Sequence, residues 1–191
     1  MTSTKTINER IVLGIDPGTT VMGFGLIRVK GKQMELIELG ILRLDRIADH
    51  AVKLRAIFNE LIRIIDLHHP DELAIEAPFY GKNVQSMLKL GRAQGVAIAA
   101  ALSRDIPMTE YYPKKIKQSV TGNGNASKEQ VAAMLDTLLN TTLAAEKLDA
   151  TDALAAAVCH HFQTSNGIKS TGGKGWKGFL ANNPEKIIGR T

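Results

Sequence analysis

Four acids stand where one element of a folded chain would stop and another begin. Asp16 closes the apolar run Ile11-Val12-Leu13-Gly14-Ile15, and Glu76 closes Leu73-Ala74-Ile75. Asp149 and Asp152 lie three residues apart at the head of the alanine-rich segment Ala153 to His161. On a helix that spacing puts both side chains on one face of the first turn. Carboxylates gathered in this way are hard oxygen donors, and with no competing His or Cys cluster they suit Mg²⁺ or Mn²⁺ rather than zinc. Two such ions, ~3.5–4 Å apart, stabilise the attacking and leaving oxygens of an in-line displacement at phosphorus. Four carboxylates in one place would otherwise repel one another, so the cations also account for the cluster. Each acid also has an ordinary reading: Asp16 in Asp-Pro-Gly as an Asx-turn residue, Asp149 as a helix N-cap and Asp152 as a partner of the helix dipole.

The elements that must position these acids follow from periodicity. Residues 11–15 lack polar alternation and read as a central strand buried on both faces, ended by Pro17 and Gly18. Met22 to Val29 and Gln33 to Leu44 form a hairpin around Lys30-Gly31-Lys32, and Gly23 and Gly25 mark a close backbone approach. Leu54, Phe58, Leu61, Ile62 and Ile65 recur at helical spacing before Pro70. The helix leads into a strand over 72–76, a right-handed crossover that sets Asp16 and Glu76 at the same edge of a sheet. Val84 to Ser103 reads as a helix in which Gly91 and Gly95 permit close packing, and Pro107 to Tyr111 as a further strand. Lys114 to Val120 is a short helix, and Ser127 with Gln130 forms a capping box for the next. The last helix starts near Asp149 and carries His160 and His161, which read as helix surface rather than ligands.

Composition bounds the class. The chain has 191 residues, 44% hydrophobic and 23% charged, enough for one domain with a core. No apolar run reaches the ~18 residues of a membrane span, and the polar start Met1-Thr2-Ser3-Thr4-Lys5 precedes no apolar signal region, so the expected location is the cytoplasm. Cys159, the single cysteine, reads as a buried structural thiol. The formal charge of +5 is concentrated in residues 165–191, which hold Lys169, Lys174, Lys177, Lys186 and Arg190 against Glu185. That stretch reads as a basic, Gly-rich flexible tail behind a domain over 11–164, with 1–10 as an N-terminal extension. Two acid-free basic segments remain in the body: Ala77–Arg104 with Lys82, Lys89, Arg92 and Arg104, and Tyr111–Lys128 with Lys114, Lys115, Lys117 and Lys128. Both suit a phosphate backbone, or equally a solvated face.

Taken in order, Gly14-Ile15-Asp16-Pro17-Gly18, Ala74-Ile75-Glu76, Leu88-Lys89-Leu90-Gly91-Arg92-Ala93-Gln94-Gly95-Val96 and Asp149-Ala150-Thr151-Asp152-Ala153-Leu154-Ala155 resemble the motifs of the RuvC family of Holliday junction resolvases. The resemblance covers residues 11 to 163. It implies an α/β, RNase H-like fold: a five-stranded mixed sheet, order 3-2-1-4-5, with helices on both faces. It also implies that Asp16, Glu76, Asp149 and Asp152 hold two Mg²⁺ ions per subunit, with Mn²⁺ as a substitute. The implied reaction is hydrolysis of a phosphodiester by a metal-activated water, leaving a 5′-phosphate and a 3′-hydroxyl. A homodimer would nick four-way junction DNA symmetrically during recombination and repair, its contact helix starting at Val84, with the RuvA and RuvB branch-migration proteins as partners. Phe79 matches an aromatic that stacks on bases, and Lys117 and Lys128 match basic residues near the scissile phosphate. Lys82, Lys89 and Arg92 are further candidates for the DNA. Two other readings stand beside this one. A junction-binding module without catalysis would keep the basic segments without needing the acids, and an ATPase of the actin and hexokinase type would use Thr19-Thr20 as a phosphate hairpin but needs a second domain.

Overall fold

The computed structural model describes residues 9–78, 83–143 and 148–165, the side chains of Leu148 and Asp149 excepted. Phe79, Lys82 and the segment from 166 onward, which holds nearly all of the basic tail, lie outside the described residues.

Three antiparallel strands open the chain: β1 (Glu9–Asp16), β2 (Val21–Lys30) and β3 (Gln33–Arg43). Helix α1 (His50–His68) starts at Asp49, whose carboxylate accepts from the Val52 amide, and crosses over to β4 (Glu72–Glu76). Helix α2 (Val84–Leu102) and β5 (Met108–Tyr111) follow. The chain continues through α3 (Pro113–Thr121), α4 (Lys128–Leu139) and α5 (Leu148–Ser165). The capping box at Ser127 and Gln130 is present with both of its bonds.

The sheet order is β3-β2-β1-β4-β5, with β1 and β4 parallel and Ile15 opposite Ile75. Alternation along each strand divides the core in two. Leu13, Ile15, Leu73 and Ile75 pack with α1 and α2 on one face, while Val12 and Ala74 pack with α3, α4 and α5 on the other. Strand β1 begins at Glu9, so residues 9 and 10 belong to the sheet rather than to an extension: the Ile11 amide donates to Asp71 Oδ2 at 2.7 Å, and Arg10 pairs with Glu72.

Helix α5 lies closest to the sheet. Gly14 and Gly25 are register partners on neighbouring strands. A Cβ built on Gly14 would collide with the Ala153 carbonyl oxygen, and one on Gly25 would come within 2.9 Å of Leu154 Cα. The pair therefore lets the helix backbone rest on the strands. With α3 and α4 covering its outer side, α5 is buried nearly all round, as its apolar sequence requires. His160 and His161 are accordingly 4% and 2% exposed, contrary to the surface position expected of them. Gly91 and Gly95 also depart from expectation, since a Cβ at either meets nothing within 4 Å inside the protomer.

Candidate active site

Strand β1 delivers Asp16 to the edge of the sheet, and parallel β4 delivers Glu76 beside it. The turn after Asp16 is tight, because a Cβ on Gly18 would run into the Val21 carbonyl oxygen. That turn is tied down from two sides: Lys53 Nζ on α1 donates to the Thr19 carbonyl at 2.8 Å, and the Leu44 amide donates to the Thr20 carbonyl at 2.8 Å. Helix α5, seated on Gly14 and Gly25, brings Asp152 over the same edge.

Asp16, Glu76 and Asp152 line one cavity of about 410 Å³ with Pro113, Ile116, Lys117, Lys128, Val131 and Ala155. Asp149 occupies the first turn of α5 by its backbone. It is the second residue of the helix rather than its cap. Lys128 Nζ lies 2.7 Å from Asp152 Oδ2, and Lys117 Nζ donates to the Ala126 carbonyl at 2.8 Å. A second cleft, of about 320 Å³, shares Asp16 and Lys128 and is lined by Gly18, Thr19, Thr20 and Val21. Lys89 and Arg92 line neither cleft; they are exposed on α2, which packs on the opposite face of the sheet.

The electrostatics of the cavity fall on Glu76. Burial, with the charges of Asp16 and then Asp152, pushes its carboxyl up to about 8, while Lys128 and Lys117 pull the other way. Two lysines therefore leave the negative charge uncompensated. Among the described residues no three ligating side chains close on a single point, and Asp152 is drawn to the Lys128 ammonium. The donor set still fits a hard divalent cation: three carboxylates face one cavity, and one of them holds its proton because it is buried beside the other two.

Comparison with known proteins decides the family. The family described as crossover junction endodeoxyribonuclease RuvC matches residues 12–160. The chain belongs to the RuvC family. A RuvC crossover junction endodeoxyribonuclease of Christiangramia forsetii is 61% identical over 180 residues, covering 94% of this chain and 94% of that one. The RuvC of Bacteroides fragilis is 58% identical over 185 residues, with coverages of 95% and 97%. Among solved structures, Thermus thermophilus RuvC in complex with Holliday junction substrate matches with a TM-score of 0.77 and 30% identity, over 83% of this chain and 96% of that one. The fold is thus RNase H-like, as the motifs implied, and the chain is an endodeoxyribonuclease of the RuvC family.

Sequence reasoning found Asp16, Glu76, Asp152, Lys117 and Lys128, which the fold brings to one cavity. It did not find Lys53, whose bond to a backbone carbonyl has no local pattern, nor the part played by Gly14. The glycine in Gly14-Ile15-Asp16 was the available signal, because an all-apolar strand seldom includes a glycine without a close neighbour.

Proposed function

We propose that this RuvC-family nuclease resolves four-way Holliday junctions by metal-dependent nicking, with Asp16, Glu76, Asp149 and Asp152 as the acids of the reaction. The observation that carries this reading is the meeting of carboxylates from β1, β4 and α5 in one cavity bordered by two lysines. Those acids would hold Mg²⁺, two ions per subunit, or Mn²⁺ in its place. Such ions, when bound, supply Lewis-acid activation of water and neutralise charge at phosphorus. The remaining work belongs to the chain. Lys117 and Lys128 offer ammonium groups to the phosphodiester, and the Gly18–Val21 turn extends the seat along the DNA backbone. Exposed Lys89 and Arg92, with Phe79 and Lys82 ahead of α2, serve the junction arms. Hydrolysis leaves a 5′-phosphate and a 3′-hydroxyl.

A junction with two-fold symmetry calls for a protein with the same symmetry, and an isologous dimer provides it. On α2, Val84 and Leu88 are 67% and 51% exposed, and with Gly91 and Gly95 they fall on one helical stripe facing away from the core. That stripe is the proposed contact between subunits. Handover from the branch-migration proteins RuvA and RuvB is the corresponding proposal for partners.

The test uses a synthetic four-way junction with Mg²⁺. Wild-type protein should give paired nicks at symmetric positions. Asp16→Asn should cut at least about 100-fold more slowly, since even residues one shell behind a metal ligand cost about 10–100-fold, while binding the junction in EDTA as wild type does. Paired nicking that persists in Asp16→Asn would overturn the assignment.

A further inference from the structure

A second polar cluster lies within the α5 side of the sheet, away from the cavity. Arg10 on β1 sets Nη1 at 3.2 and 2.9 Å from the carboxylate oxygens of Glu72 on β4. Its Nη2 donates to Thr164 Oγ1 on α5 at 2.5 Å. His160, one turn before Thr164, has Nδ1 2.9 Å from the Tyr111 hydroxyl of β5 and Nε2 3.1 Å from Glu72 Oε2. The Tyr111 and His160 rings also meet edge to face, with centroids 5.8 Å apart. His160 is 4% exposed, and its Nε2 makes no hydrogen bond of good geometry, so the contact with the Glu72 oxygen is electrostatic.

The membership of this cluster is the informative part. Each element that carries one of the four acids supplies a residue: Arg10 shares β1 with Asp16, Glu72 shares β4 with Glu76, and His160 and Thr164 share α5 with Asp149 and Asp152. Tyr111 is the register partner of Glu76, and its carbonyl accepts from the Ala77 amide at 2.9 Å. None of Arg10, Glu72, Tyr111 or His160 lines the acidic cavity.

The apolar contact between α5 and the strands has little relief. On the helix it includes Ala153, Leu154 and Ala157, and on β1 and β2 it includes Gly14 and Gly25. Small residues permit a close approach, but they have few knobs to stop a helix from sliding along its own axis. Polar contacts with defined directions do stop it.

We infer that the Tyr111–His160–Glu72–Arg10 network is a positioning device, which fixes the axial register of α5 on β1 and β4 and thereby the placement of Asp152 and Asp149 against Asp16 and Glu76. Eight residues of helix, roughly 12 Å, separate His160 from Asp152, so a shift at the network moves the acids with it. Protonation agrees with the geometry. Burial, with the nearby Cys159 and Glu72, pushes the Tyr111 phenol up to about 12, so it keeps its proton and donates to Nδ1. Burial lowers His160, against the pull of Glu72, so the ring is neutral with its proton on Nε2. These residues touch neither substrate nor ion; they act through α5. The inference rests on the acid cluster being the ion site, so its test needs one readout that does not depend on ions.

Wild type, Tyr111→Phe and His160→Gln are compared as full-length proteins. Hydrogen exchange in EDTA should show the amides of the first turn of α5 exchanging about 10-fold faster in both variants, with α1 unchanged. Mn²⁺ affinity without DNA, read by electron paramagnetic resonance of the free ion, should fall about 10-fold in both, the low end of the outer-shell range. Junction binding in EDTA should not change. Wild-type exchange and wild-type Mn²⁺ affinity in both variants would overturn the inference, even if their melting temperatures fall. Absence of Mn²⁺ binding by wild type would instead remove the ion-site reading, and exchange would still decide the network.

Discussion

Glu76 holds a proton at pH 7 in the ion-free protein, because its carboxyl is raised from about 4.5 in the unfolded chain to about 8 in the fold. Between those values the native state binds a proton that the unfolded state has released. Stability therefore declines as pH rises from about 4.5 to about 8 and levels off beyond. In EDTA the melting temperature should fall by roughly 10 °C or more across that window, given about 1.4 kcal/mol per pKa unit and about 2–4 °C per kcal/mol. Glu76→Gln should flatten the decline and melt higher at pH 8. With Glu76 as a ligand, as proposed, a divalent ion would have to displace this proton, so its affinity should rise by up to tenfold per pH unit below about 8 and then plateau. Calorimetric titration with Mn²⁺ at several pH values measures it; an affinity independent of pH would mean that Glu76 is not a ligand. That Asp16, Glu76 and Asp152 meet at one cavity was legible in the sequence, because the first two close apolar runs and the third stands near the start of a helix. The state of Glu76 was not, because it depends on Asp16 and Asp152 arriving from distant parts of the chain. The same holds for the Lys128–Asp152 pair.

At the scale of elements, strands and helices were readable wherever periodicity was strong: the central strand, the hairpin, the crossover helix and the capping box at Ser127. What sequence could not disclose was how deeply each helix is covered. His160 and His161 are polar residues on a helix, and they read as surface until α3 and α4 are seen to enclose α5. The glycines divide in the same way. Gly25 marks the close approach expected of it, Gly14 marks one that was not expected, and Gly91 and Gly95 face open space. Gly14→Ala should therefore be severe, since its Cβ meets helix backbone rather than a side chain that can turn aside. A loss of about 3 kcal/mol is expected in urea unfolding, the upper end for overpacked cores. Cleavage by the fraction still folded should fall as well, because α5 would be lifted together with Asp152. A Gly14→Ala variant as stable and as active as wild type would contradict the packing described.

On the scale of the whole molecule, the two basic segments sit on different sides of the sheet. Lys89 and Arg92 ride on α2 with the exposed stripe, while Lys117 and Lys128 stand at the cavity. A dimer formed through α2 would thus set its basic helices near the symmetry axis and its cavities outside it. Gly95→Leu, a substitution with room inside the protomer, should shift sedimentation toward monomer and abolish paired nicking. Mn²⁺ affinity should stay within about twofold of wild type, as α2 contributes nothing to the cavity. A variant that remains dimeric and nicks both strands would move the subunit contact elsewhere.

Where Gly14 and Gly25 leave main chain resting on main chain, the gap between the two halves of the acid cluster is gauged by atoms that every residue type shares. Exchanges among Val, Leu and Ile elsewhere in the core alter volume without altering that gauge. The interior can therefore drift in sequence while the span across the acids stays the same, whereas a side chain put between the two backbones resets it.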